Sequence, residues 1–190
     1  MQTRERLLDV AGELLGKVGI ERISTKMICA RAGLTPPALY RYFKDKYAVL
    51  EALGLRLMER QNVVLSAWLE QHVPNGLDAL AEHTAALLRD TAAVTAAEPG
   101  AVWTLRALRA VPQLAHVRIE SHRQVTDRMV QAYAPLVPKM SKRELWRRVR
   151  VAIEFGFAVD EMLNEEDRIK RNDIIREAAR MLQWTLRDPE

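Results

Sequence analysis

The sequence predicts an all-α protein: an N-terminal three-helix helix-turn-helix domain followed by a larger helical domain, about nine helices in total. Three observations carry this. Apolar residues recur at three- and four-residue spacings along most of the chain. No stretch alternates apolar and polar residues as a half-buried strand would. Clusters of breakers, "PNG" at 74–76, "EPG" at 98–100 and "APLVP" at 134–138, cut the pattern into segments of helical length.

Taken in order, Leu7, Ala11, Leu14 and Val18 share the face of a first helix, with Leu8 and Leu15 beside them and Gly19 placed to stop it. Ser24 or Thr25 caps the second helix, in which Ile28 and Ala32 lie four apart, and Gly33 ends it. Thr35 reads as the next N-cap, its Oγ accepting from the Ala38 amide. Pro36 then takes the first helical position, where its fixed backbone angle fits and its missing amide costs nothing. Pro37 is less comfortable, because it biases Pro36 away from helical geometry. A long helical pattern follows from about Asp45 to His72, roughly 40 Å at the helical rise.

Leu77, Leu80, Thr84, Leu87 and Thr91 make the next stripe. A short segment through Trp103 and Leu108 stops at Pro112, and another runs from Gln113 to about Tyr133. Ser141-Lys-Arg-Glu144 is a capping box opening a helix to about Leu163, and the last helix follows "NEED" at 164–167 and reaches about Leu186. The expected division is residues 1–47 and residues 48–190. A unit of that small size is marginal alone, so it is expected to draw on the fourth helix for its core.

Composition narrows the function. Of 190 residues 48% are hydrophobic and 28% charged, the profile of an ordinary globular protein. No apolar run approaches the length of a membrane span, and the N-terminus lacks the order of a signal peptide. A single cysteine forms no internal disulfide, which fits a cytoplasmic protein. Residues 1–50 hold nine Lys/Arg against five Asp/Glu, while the other 140 residues hold twenty of each. The excess positive charge of +4 therefore sits in the first quarter, an electrostatic footprint for a polyanion.

The segment "AGLTPPALYRYFKDKYAVL" gathers the chemistry. Helix, glycine turn and short helix form the helix-turn-helix pattern, whose second helix enters the major groove of DNA. On so short a helix Leu39 and Phe43, four apart, are expected to pack inward. Tyr40 and Tyr42 lie off that face, each with a flat apolar ring for a thymine methyl and a hydroxyl for a phosphate oxygen. Arg41 suits a phosphate or a guanine, and Thr35 and Lys46 suit phosphates.

These residues carry a resemblance. The segments "LLDVAGELLGKVGIERIS", "ICARAGLTPPALYRYF" and "KDKYAVLEAL" resemble the N-terminal domain of TetR/AcrR-type transcriptional regulators. The resemblance implies a homodimer that binds a palindromic double-stranded DNA operator, most simply as a repressor released by a small, largely apolar effector. The DNA-contacting positions it implies are Thr25 and Lys26 in the second helix, Thr35, Pro36, Pro37, Ala38, Tyr40, Arg41 and Tyr42 in the third, and Lys46 after it. Pro37 and Ala38 depart from the hydroxyl or glycine common there, so van der Waals readout of thymine methyls is expected at these two.

The larger domain reads as neutral and helical. "VAIEFGFAVDEML" is nearly apolar all round, which fits a helix facing both its own domain and a partner subunit. In the family the last two helices form the dimer interface, which marks Phe155, Val159, Met162, Ile174, Ile175, Ala178, Met181 and Leu182. Thr84, Thr91, Trp103, His122, Met129 and Phe155 are candidates to line an effector pocket. Enzymatic readings find no footing: no histidine follows a glutamate by three positions as a di-iron bundle requires, and no zinc spacing, phosphate loop or serine elbow is present. No cofactor is expected. The competing reading is a helix-turn-helix adaptor that senses no small molecule.

Overall fold

The computed structural model describes residues 2–187, so residue 1 and residues 188–190, the outer ends of the two expected domains, lie outside the described residues. Among these are nine α-helices and no strand: α1 (Gln2–Arg22), α2 (Thr25–Ala32), α3 (Pro36–Tyr40), α4 (Lys46–His72), α5 (Gly76–Ala97), α6 (Ala101–Ala110), α7 (Ala115–Tyr133), α8 (Lys142–Met162) and α9 (Arg171–Leu182). Short 3-10 turns lie at Val73–Asn75, Pro112–Leu114, Ala134–Leu136 and Gln183–Leu186. No described helix is long and apolar enough to cross a membrane.

The helices form two compact units. The first takes residues 1–59 together with 95–119, and the second takes 60–94 and 120–190. The first unit is thus wider than the expected 1–47, for two physical reasons. The opening turns of α4 supply Val49, Leu50, Leu53 and Leu57, none more than 1% exposed, to the core built on Leu7, Leu8, Leu15, Ile28 and Leu39. The segment leading into α6 also closes directly on α1. A Cβ on Gly12 would stand 2.3 Å from the Pro99 carbonyl oxygen, and one on Gly100 would stand 2.1 Å from the Gly12 oxygen. Only glycine permits that approach.

An ion cluster closes the same junction. Arg56 of α4 lies 2.5 Å from the Glu98 carboxylate, which is itself 2% exposed, and also reaches Glu5 at 3.2 Å and Asp9 at 2.8 Å on α1. Removing one partner of so buried a pair leaves the other charge uncompensated.

The second unit has two apolar clusters. One joins Leu65, Trp68 and Leu69 of α4 to Leu80, Val125, Leu145, Val149 and Ile153. The other joins Ala92, Val159 and Leu163 to Ile174, Ile175 and Ala178 of α9. This second cluster corrects an expectation. Val159, Ile174, Ile175 and Ala178, expected at a dimer interface, are 3–6% exposed and already packed together within the chain. Ser141 caps α8 by accepting from the Glu144 amide at 3.2 Å, but the reciprocal half of the box gives way to a Glu144–Arg148 bond at 2.5 Å.

Candidate nucleic-acid interface and cavity

The turn between α2 and α3 is fixed locally. Ser24, not Thr25, caps α2, its Oγ accepting from the Met27 amide at 3.3 Å. Gly33 closes α2 in the left-handed region, at φ 62° and ψ 36°, with its amide and that of Leu34 turned back to Ala30 and Cys29. A side chain there would meet the steric penalty that keeps L-residues out of this region.

Helix α3 is only five residues long, which leaves little room for a two-sided choice. Leu39 (0% exposed) and Phe43 (4%) point into the core, and Tyr40 (53%) and Tyr42 (43%) stand out of it. Arg41, Thr35, Pro36 and Pro37 are exposed and Ala38 is half-buried, so an apolar edge and a polar edge lie side by side. The guanidinium of Arg4 sits 5.6 Å from the Phe43 ring centroid, covering its outer side. Thr25 and Tyr40 join α2 to α3 through a hydroxyl–hydroxyl bond of 3.3 Å, and Lys26 is exposed on the same helix as Thr25.

One expectation needs correction here. The Thr35 side chain makes no capping bond; its backbone carbonyl takes the Ala38 amide at 3.0 Å instead. The hydroxyl is thereby left to solvent. Lys46 does not reach freely outward, because its Nζ donates to the Ile20 carbonyl at 3.4 Å and lies 5.4 Å from the Tyr47 ring centroid. An ammonium has three donors, so two remain for an anion. Asp45 caps α4, its Oδ1 accepting from the Ala48 amide at 2.8 Å.

The second unit contains a cavity of about 170 Å³. Of the six expected lining residues, Thr84, Thr91 and Met129 face it and Trp103, His122 and Phe155 do not. Trp103 belongs to the first unit, where Arg106 lies 4.9 Å above its ring and Gly19 is its neighbour. His122 is fully buried behind the wall, stacked on Phe157 at 4.1 Å and bonded through Nδ1 to Glu154 at 3.2 Å. Phe155 is turned about one residue away from the lining positions Gly156 and Phe157, toward the Val159–Ile174 cluster.

Sequence reasoning missed Gln61, Asp160, Trp68 and Tyr133, which all line the cavity. A signal existed for the first two. Gln61 interrupts the apolar face Leu57, Leu65, Trp68 at helical spacing, and Asp160 sits beside Val159 and three before Leu163. The two meet inside, Gln61 Nε2 donating to Asp160 Oδ2 at 3.4 Å, each residue 4% exposed. Burial pushes the Tyr133 phenol well above its ordinary range, so it stays neutral. Among the described residues no group of three His, Cys, Asp or Glu is placed to hold a metal ion.

With this geometry in hand, comparison with known proteins is informative. Residues 7–53 match the family described as bacterial regulatory proteins, tetR family. The chain is 36% identical over 59 residues to the tetracycline repressor protein class D of Escherichia coli, a match covering 31% of this chain and 27% of that one. The chain therefore spans little more than a quarter of the curated relative it matches. Across almost the full length, the fold is similar to that of a TetR-family transcriptional regulator from Streptomyces coelicolor, at TM-score 0.64 and 21% identity, covering 97% of each chain. It is also similar to a putative transcriptional regulator from Pseudomonas aeruginosa PAO1, at TM-score 0.76 and 14% identity, covering 97% of this chain and 88% of that one. At these identities the structural likeness concerns the fold.

Proposed function

We propose, for a chain whose residues 7–53 match the family described as bacterial regulatory proteins, tetR family, a transcriptional regulator that binds a palindromic double-stranded DNA operator as a homodimer and acts as a repressor. The observation that carries this reading is the partition of α3 and the turn that follows it, with Leu39 and Phe43 inside and Tyr40, Arg41 and Tyr42 outside. A segment built only for packing has no use for two exposed tyrosines flanking an arginine. Thr25, Lys26, Thr35 and Lys46 supply phosphate contacts that set register, and Pro36, Pro37 and Ala38 supply an apolar edge for thymine methyls. The positive excess of the first 50 residues adds attraction to any duplex.

Dimerisation is assigned to a different set of residues from that expected from the sequence. Val151 (70% exposed), Phe155, Ala158 and Met162 (37%) recur at helical spacing on one outer stripe of α8, and Met181 (62%) and Trp184 (64%) stand out of the chain's end. An apolar stripe of this kind is what a second copy covers. Phe155, Met162 and Met181 keep their place in the interface; Leu182 is reassigned to the cavity wall.

The cavity is the effector site in this reading, and a small, largely apolar molecule is its occupant. Helix α4 carries cavity residues Gln61, Leu65 and Trp68 in the same rod whose first turns pack in the first unit. Occupancy that favours one position of this helix over another shifts the recognition helices away from the half-site separation of about 34 Å.

Selection of bound duplexes from a random pool, followed by titration of the enriched site, tests the proposal. The expected result is an inverted repeat bound with a steep loss of affinity as salt rises. A salt-independent association, or no enrichment at all, would overturn it.

A further inference from the structure

Two residues in the cavity wall are not accounted for by packing. The first is Gly156. It lies in the interior of α8, where glycine is a poorer helix former than alanine. Its backbone does not require glycine: positive φ occurs at Gly19, Gly33, Gly76 and Gly100 and not here. Close approach does not require it either. A Cβ on Gly54 would lie 2.9 Å from Leu108 Cδ2, whereas a Cβ on Gly156 would have no described atom within 4 Å. What the missing side chain leaves is room, and Gly156 lines the cavity.

The second is Tyr133, which also lines the cavity and is 4% exposed. Other buried polar groups of the wall have partners: the Trp68 indole donates to the His83 carbonyl at 3.1 Å, and Gln61 donates to Asp160 at 3.4 Å. The Tyr133 hydroxyl has no hydrogen-bond partner among the described residues. Burial holds it as a neutral phenol. A phenol is a better donor than acceptor, because its lone pair is drawn into the ring. A buried donor left without an acceptor carries a desolvation cost, which an acceptor on a guest molecule relieves.

The remaining wall sets the guest's size and surface. The cavity of about 170 Å³ is close to the roughly 150 Å³ of an apolar cavity that stays dry and admits benzene. The rings of Trp68, Tyr133 and Phe157 and the thioether of Met129 stand among aliphatic side chains in its lining. Flat rings and a polarisable sulfur favour an aromatic guest.

We infer that the cavity takes a compact, uncharged aromatic molecule bearing a ketone-type acceptor oxygen, with Tyr133 donating to that oxygen and the guest using the room left at Gly156. The inference rests on the reading of this cavity as the effector site. A carboxylate in place of the ketone would bring a charge into a mostly apolar space, at a desolvation cost that one neutral hydrogen bond does not offset.

Fluorine NMR titration of the full chain at pH 7 with 4-fluoroacetophenone, its planar isostere 4-fluoro-α-methylstyrene and 4-fluorobenzoate tests this. The benzoate is expected to bind about tenfold or more weakly than the ketone. In Tyr133→Phe the ratio of ketone to alkene affinity is expected to fall by about threefold or more, a comparison in which the different hydration of the two probes cancels. The melting midpoint of that variant should not fall, since the hydroxyl has no bond within the chain to lose. Gly156→Ala should raise the melting midpoint, and Gly156→Leu, which fills the room, should weaken both neutral probes by about tenfold. The alanine variant and Tyr133→Phe decide if Gly156→Leu does not fold. An unchanged ratio in Tyr133→Phe, a benzoate bound as tightly as the ketone, a Gly156→Ala protein that melts early, or no binding by any probe overturns the inference. Ketone binding in the expected pattern that leaves operator affinity unchanged in fluorescence anisotropy would instead overturn the effector reading.

Discussion

Replacing Leu39 and its neighbour Tyr40, one at a time, by alanine gives opposite outcomes. Leu39 is 0% exposed, and deleting its three outer carbons removes apolar burial and leaves a hole in the core of the first unit. Such Leu→Ala changes cost about 2–5 kcal/mol, which in a chain of this size lowers the melting midpoint by roughly 5–15 °C. Tyr40 is 53% exposed, and its one bond to a described residue is the 3.3 Å contact with Thr25. Tyr40→Ala is therefore expected to change stability by no more than about 0.5 kcal/mol. Loss of a hydrogen bond to a charged phosphate costs about 1.5–3 kcal/mol per contact, so operator affinity should fall at least tenfold. Thermal melts and fluorescence anisotropy with the selected duplex, run on both variants, separate the two effects. A Tyr40→Ala protein that melts early, or that binds the operator as well as wild type, would refute the division of α3 into an inner and an outer face.

Other outcomes follow from the same structure. Gly12→Ala places a methyl 2.3 Å from the Pro99 carbonyl oxygen, a backbone atom with little freedom to yield, and should destabilise the chain by about 1–3 kcal/mol in a denaturant titration. Val151→Asp, on the 70% exposed stripe of α8, should give a monomer in sedimentation where the wild type sediments as the proposed dimer, while leaving the helical circular dichroism spectrum intact. His72 is buried and stacked at 4.1 Å on His83; burial and the His83 charge hold its pKa below the usual histidine value against the pull of Glu82. The unfolded chain therefore takes up this proton first as pH falls. The melting midpoint should then drop as pH is lowered through the ordinary histidine value near 6.5, and His72→Phe should flatten that part of the profile.

What was legible in the sequence was local. Helical period, the glycine at 33, the Thr-Pro start of α3 and the spacing of Leu39 and Phe43 are encoded within one or two turns, and backbone sterics and side-chain direction do the rest. Even the polar interruptions at Gln61 and Asp160 were there to be read as departures from an apolar stripe. The partners of those stripes were not. That α9 spends Ile174, Ile175 and Ala178 inside its own chain, while Val151 and Met162 stay exposed, depends on which helix lies against which. Apolar periodicity reports that a face is covered and carries no mark of whether the cover is the same chain or another.

The sequence by itself thus determined the helices, the stop at Gly33 and the chemistry displayed on and just after α3, because each is settled by neighbours within a few residues; Gly19, read as the stop of α1, is instead a kink inside it at φ 74°, after which the helix runs on to Arg22. The tertiary structure alone decided that residues 95–119 complete the first unit through the Gly12–Gly100 approach, that Trp103 and His122 stay out of the cavity, and that Gln61 meets Asp160 across 99 positions. Those are contacts between distant segments, fixed by how whole helices pack and not by what any one of them prefers.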